Sequence, residues 1–295
     1  MTIRIAIIGP GKIARDAHVP AIARHPGFEL AASVGGRHGL AGAAHFPDLA
    51  ALLASGIAVD AAAICTPPGP RADIALAAWA AGLDVLLEKP PAADLAAAAR
   101  LVPPPGRVGY AAWHSRHAAG VAAARGVLAQ RPPARFDIEW LEDVERWHPG
   151  QDWVWRADGF GVIDAGINAL SILTAVWPHE WTVTAADLVM PPRCAVPESV
   201  DARMTCGTLA AAVRFDWRSP TDRWEIGAVL ADGGRLELLD GGARLRVDGA
   251  DVPVGAADEY DGVYAEFADC IAGRQSRIDV QPLALAAAML HRAGA

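Results

Sequence analysis

The sequence predicts an α/β protein in two parts: a doubly wound parallel sheet, then an α+β domain with an open, mainly antiparallel sheet. Three observations carry this. Up to about residue 115, short apolar runs alternate with helical patterns, the signature of βαβ units. A glycine-rich loop directly follows the first apolar run. Further on, strand-like segments succeed one another without intervening helices, and Asp232-Gly233 and Asp240-Gly241 supply hairpin turns between them.

Taken in order, Ile3 to Ile8 reads as the first strand, then the glycine loop and a helix from Lys12 to Arg24. Strands are expected over Phe28 to Val34, Asp60 to Cys65, Asp84 to Leu87 and Arg107 to Tyr110, with a helix over Asp73 to Ala81. A helix around Ala118 to Gln130 then leads across Pro132-Pro133 into a strand from Arg135 to Glu142. Gly161 to Val176 is the next helix, and six strands follow between Thr182 and Val247. Helices over Glu259 to Ala272 and Pro282 to His291 close the chain. The expected division is residues 1–117 for the first domain and 118–295 for the second.

The chain has 295 residues, 53% hydrophobic and 20% charged, which suits a sizeable core. Its net charge of −8 and pI near 5.6 argue against a general grip on nucleic acid. Cys65, Cys194, Cys206 and Cys270 are widely spaced, without a Cys-x-x-Cys pair, so neither a zinc site nor a disulfide framework is expected. Every alanine-rich stretch meets charge, Gly or Pro well before the ~20 apolar residues of a membrane span. The expectation is a soluble, cytoplasmic chain with a small-molecule substrate.

Gly9-Pro10-Gly11-Lys12-Ile13-Ala14 is the dinucleotide fingerprint in its proper place, and it makes the first domain a Rossmann domain. Gly9 permits the tight turn, Gly11 the close approach of the pyrophosphate, and Ala14 the packing of helix on strand. The helix N-terminus then offers free N–H groups to the phosphates. At the end of the second strand, Ser33-Val34-Gly35-Gly36-Arg37-His38 lacks the carboxylate that accepts from an NAD ribose. Arg37 can pair instead with a 2′-phosphate, assisted by His38 or Ser33, so NADP is the preferred cofactor and NAD the second. The full cofactor set is Gly9, Gly11, Lys12, Ile13, Arg37, Thr66 and Glu88.

Glu88-Lys89-Pro90 stands at the C-terminal end of the fourth strand, where ligands of such sheets bind, and Lys89 can stabilise negative charge on a substrate oxygen. Asp164 and Asn168 are four apart on one helix and share a face among apolar neighbours. Between these elements, Trp140 to Trp155 gathers aromatic, acidic and imidazole groups that suit a sugar, rings on C–H faces and polar groups on hydroxyls. Trp113-His114-Ser115-Arg116 is a further lining segment.

The glycine loop, Glu88-Lys89-Pro90 and the Asp-x-Gly-x-Asn element from Asp164 to Asn168 resemble the Gfo/Idh/MocA oxidoreductase family over essentially the whole chain. More narrowly, Trp113 to Arg116, Glu142 to Gln151 and Asp164 to Ser171 are similar to bacterial L-arabinose and D-galactose 1-dehydrogenases. The resemblance implies that Lys89, Asp164 and Asn168 surround the reacting carbon. It also implies sugar contacts from His114, Glu142 and His148; Trp147 and Trp224 complete the expected substrate set. Many members carry His where Asn168 stands; an amide cannot accept a proton at neutral pH, which leaves Asp164 as acceptor, through Lys89 or water. The implied activity is oxidation of C1 of L-arabinose, D-galactose or D-fucose to the aldonolactone. Two other readings stay open, an inositol or polyol dehydrogenase and a non-catalytic sugar or NAD(P) sensor. The flat second sheet suits a dimer or tetramer.

Overall fold

Strand β1 (Ile3–Ile8) is buried on both faces from Ile5 onward, as its unbroken apolar run requires in a parallel sheet. The protein is described by a computed structural model over residues 2–292, except 148, 151, 157 and 158. After the glycine loop the chain makes a π-helical turn, Ala14–His18, before helix α1 (Val19–Arg24). Pro20 explains why the expected single helix is split: it has no N–H to donate into the preceding turn, so the ladder widens. Next come β2 (Phe28–Val34), β3 (Ala44–Phe46), α2 (Leu49–Ala54), β4 (Ala61–Ile64), α3 (Pro68–Ala80), β5 (Asp84–Glu88), α4 (Leu95–Ala99) and β6 (Gly109–Ala112).

The sheet order is β3-β2-β1-β4-β5-β6, parallel throughout. The order reverses between β1 and β4, and that switch point is where a doubly wound sheet receives its ligand. Three of these short elements, β3, α2 and α4, have no counterpart in the sequence reading. Each is three to six residues long and polar or alanine-rich, too short to show a period. Asp48 and Asp94 nonetheless cap the two helices, accepting from Ala51 N at 2.8 Å and Ala97 N at 2.7 Å.

The second sheet begins after α5 (Val121–Gln130) with β7 (Pro133–Asp143), followed by α6 (Val144–Trp147) and α7 (Ile163–Val176). It is completed by β8 (Thr182–Val189), β9 (Ser199–Cys206), β10 (Leu209–Asp216), β11 (Arg218–Leu230), β12 (Arg235–Leu239), β13 (Arg244–Val247) and β14 (Ala250–Val252). Its order is β14-β13-β12-β11-β7-β10-β9-β8, antiparallel except where β7 meets β10. Helix α7 is almost wholly buried against it, and Gly166 is what lets the two come close. A Cβ there would stand 2.3 Å from the Phe215 ring. The opposite face of the sheet is charged, with Arg223 bonded to Glu139 at 2.6 Å.

Two helices finish the chain, α8 (Glu259–Gly273) and α9 (Gln281–Arg292). The compact units are Met1–His114 with Tyr260–Val280, and Ser115–Glu259 with Gln281–Ala295. This differs from a single cut at 117/118: the chain returns to the first unit through α8. The reason is the buried aromatic face of α8, whose Tyr264 and Phe267 pack on Phe28, with Phe267 and Phe28 stacked at 5.9 Å. Fully burying each such side chain contributes roughly 1.5–3 kcal/mol. The segment after α8 covers the edge strand β6, with Arg277 N on Gly109 O at 2.8 Å and Ala111 N on Arg277 O at 3.0 Å.

Candidate active site

The first unit carries the glycine loop at its switch point. Gly9 has φ +89°, and a Cβ there would lie 2.8 Å from Thr66 N, so the turn and the approach of β1 to the end of β4 both demand glycine. A Cβ on Gly11 would meet nothing within 4 Å, the open side from which a phosphate can approach the backbone. Ala14 is buried, as its packing role requires. Lys12 is exposed and paired with Asp16 at 2.5 Å, and Ile13 is 38% exposed beside the loop.

Beyond β2, Gly35 and Gly36 have φ of +78° and +73°, and Arg37 stands exposed next to them. Arg15, from the π-helical turn, donates to His38 O at 3.1 Å and Gly39 O at 3.2 Å and so pins this loop. Ser33 is not available to help Arg37. It is buried, with its hydroxyl engaged by His45 Nδ1 at 3.1 Å and Leu40 N at 3.3 Å.

Around Lys89 the first unit builds a buried polar cluster. The sequence reading placed Glu88 among the cofactor contacts, but its carboxylate faces inward and is 3% exposed. Glu88 Oε1 accepts from His18 Nε2 at 3.0 Å and from the Tyr260 hydroxyl at 2.5 Å, while Oε2 accepts the Lys89 N–H at 2.8 Å. The physical reason is that a carboxylate this deep must find donors, and the protein supplies three. Burial opposes its charge, yet His18 above all, then His114 and Arg71, lower Glu88 from 4.5 to about 2. Burial likewise opposes charge on His18, but Cys65, Tyr264 and Glu88 outweigh it and hold the imidazole well above 6.5. Protonated His18 then donates from Nδ1 to Tyr264 at 2.9 Å. His114 stacks on Tyr260, ring centroids 5.4 Å apart.

Arg71, also buried, fastens the strand ends to one another. It donates to Thr66 O at 2.8 Å, to Glu88 O at 2.7 Å and to Pro90 O.

The second unit carries the acid-and-tryptophan cluster. Alternation along β7 turns Phe136, Ile138 and Trp140 inward, and Glu142 takes the next inward position. Its oxygens are held by two indoles, Trp217 Nε1 at 3.1 Å and Trp224 Nε1 at 2.9 Å. Trp224 stacks on Trp140 at 6.0 Å and meets Trp147 at 5.1 Å; Trp147 is 41% exposed. Asp164 and Asn168 share one face of α7 and are partly exposed, while the residues between them are buried. His148 lies outside the described residues.

A family model described as an oxidoreductase family with an NAD-binding Rossmann fold matches residues 3–103. Galactose 1-dehydrogenase of Pseudomonas fluorescens is 40% identical over 97% of this chain and 94% of that protein. The chain belongs to the Gfo/Idh/MocA oxidoreductases. Among solved structures, the D-galactose-1-dehydrogenase protein from Rhizobium etli matches this family member with TM-score 0.93 and 38% identity, covering 99% of this chain and 95% of that one. A 3-ketoreductase from Actinomadura kijaniata, solved with TDP-benzene and NADP, shares the fold alone: TM-score 0.83 and 20% identity over 98% of this chain and 96% of that one.

The residues of this Gfo/Idh/MocA chain fit a nicotinamide dinucleotide. Among the described residues, Thr66 Oγ1 is the buried side-chain atom without a hydrogen-bond partner, and the backbone of that residue lies against the Gly9 turn. An orphaned hydroxyl at the switch point, beside a glycine loop with an open side, is what a ligand would satisfy. The sequence reading named Thr66, but it missed His18, Arg71, Tyr260, Tyr264 and Trp217. None of these gave a local signal: His18 follows Lys12, Arg15 and Asp16 in a stretch already rich in charge, and the others lie on elements whose pattern speaks only of packing.

Proposed function

We propose that this chain is an aldose 1-dehydrogenase that oxidises C1 of L-arabinose, D-galactose or D-fucose to the aldonolactone, with NADP preferred over NAD. The observation that carries this reading is the near full-length likeness to galactose 1-dehydrogenase. The tryptophan-lined carboxylate of the second unit supports it, since indole faces suit sugar C–H surfaces and a fixed carboxylate suits hydroxyls. The dinucleotide, when bound, supplies the hydride acceptor.

In this reading Gly9, Gly11, Lys12, Ile13 and Thr66 hold the dinucleotide, and Arg37 pairs with the 2′-phosphate. Asp164 receives the proton of the C1 hydroxyl, directly or through Lys89 or water, as C1–H leaves as hydride and a C1=O bond forms. Lys89 stabilises the oxyanion character that develops on that oxygen. Asn168 hydrogen-bonds the C1 or ring oxygen, and its amide takes no proton. His114, Glu142, Trp147, His148 and Trp224 contact the sugar. The enzyme works in the cytoplasm, and its flat second sheet serves a dimer or tetramer. Among the described residues, no helix is long and apolar enough to cross a membrane.

A panel of aldoses with each cofactor, followed by NAD(P)H absorbance, tests the reading, with the lactone trapped as its hydroxamate. The three named sugars differ only at C5, so their kcat/KM values should fall within about 10–200-fold of one another. D-Glucose, with one hydroxyl inverted, should be far poorer, because mispairing leaves buried polar groups unsatisfied. Equal use of glucose and galactose, or a product that is no lactone, would sink it.

A further inference from the structure

We propose that His18 and Glu88 are positioning residues for Lys89, a buried pair that ties the turn after the glycine loop to that lysine. The inference rests on the reading above that Lys89 acts on the substrate oxygen. Three backbone groups around Lys89 are tied to buried ionisable side chains. Glu88 Oε2 accepts the Lys89 N–H at 2.8 Å, and Arg71 donates to Glu88 O at 2.7 Å and to Pro90 O as well. The other oxygen, Oε1, is held by His18 at 3.0 Å and Tyr260 at 2.5 Å, so the carboxylate cannot turn away from the lysine. His18 in turn is fixed on its far side by Tyr264 at 2.9 Å.

The turn that holds His18 also begins the helix on which the dinucleotide loop rests. Loop and lysine are therefore linked through a single carboxylate. A buried ion pair adds little net stability compared with apolar packing, so its cost is better explained by the geometry it enforces. Misplacement of a reacting group by about 1 Å can cost on the order of 100-fold in rate.

The test is a double-mutant cycle with Lys89→Ala. In the wild-type background, His18→Gln and Glu88→Gln should each lower kcat about tenfold or more, with sugar KM and NADP Kd within about threefold. In the Lys89→Ala background the same changes should alter the residual turnover by less than about twofold, because nothing is left to position. Tyr260→Phe removes only a hydroxyl from Oε1 and preserves the ring, so it carries the same test if either polar variant fails to fold; it should lower kcat about threefold, again only when Lys89 is present. Equal losses in both backgrounds, or losses confined to KM or Kd, would overturn the positioning role. Full turnover in Lys89→Ala alone would instead overturn the assignment of Lys89 to the chemistry.

Discussion

At the scale of single residues, the strongest legible signals were side chains whose role is local. Gly9 was readable because a strand-to-helix turn needs positive φ and close approach, and both are found. Arg37, which we propose as the substitute for a ribose-binding acid, stands exposed beyond Gly36. Arg37→Asp should raise KM for NADP by roughly 10- to 100-fold, the worth of a charge-assisted bond exchanged for repulsion, and leave NAD little changed. Initial rates with the two cofactors would check this; an unchanged NADP/NAD ratio would place the 2′-phosphate reader elsewhere. Gly166, by contrast, looked like part of a site motif. Its Cβ position 2.3 Å from Phe215 makes it a packing glycine. Gly166→Ala should cost about 1–3 kcal/mol by overpacking, visible as a lower thermal midpoint.

Helices and strands were legible in proportion to their length and period. β1, β2, β8, β9 and β12 begin and end where the apolar runs do. The short β3 and α4 could not be read, since three to five residues define no period. Helix α8 was located by its pattern, but its allegiance was not. Its aromatic stripe is equally apolar whichever unit it serves, and only contact with Phe28 and Tyr110 assigns it to the first. Phe267, fully buried in that stripe, is therefore a stability residue of the dinucleotide-binding unit. Phe267→Ala should destabilise by about 3–5 kcal/mol. Denaturant midpoints with and without NADP would test it; a loss under 1 kcal/mol, roughly the scale of a surface change, would contradict the packing.

For the whole molecule, the buried His18–Glu88 pair makes stability depend on pH in a definite direction. Glu88 is lowered from 4.5 to about 2, so its contribution is complete above 4.5 and is lost as pH falls toward 2. His18 is raised above 6.5, so its contribution is complete below 6.5 and is lost as pH rises through the higher folded value. The groups facing the pair are Cys65, Arg71, His114, Tyr260 and Tyr264. Compared with a His18→Gln, Glu88→Gln double variant, the wild-type thermal midpoint should gain most between pH 4.5 and 6.5 and less on either side. A pH-independent difference would mean that the pair is not ionised. From its sequence alone this protein declares a glycine loop after its first strand, a parallel and then a mainly antiparallel sheet, and the motifs of an oxidoreductase family, because turns, periods and motifs are encoded over short spans. Tertiary structure alone decided that Glu88 serves Lys89 from within, that two indoles grip Glu142, and that α8 returns to the first unit. Those arrangements join residues up to 246 positions apart, and hydrogen bonds over such separations leave no periodic trace in the chain.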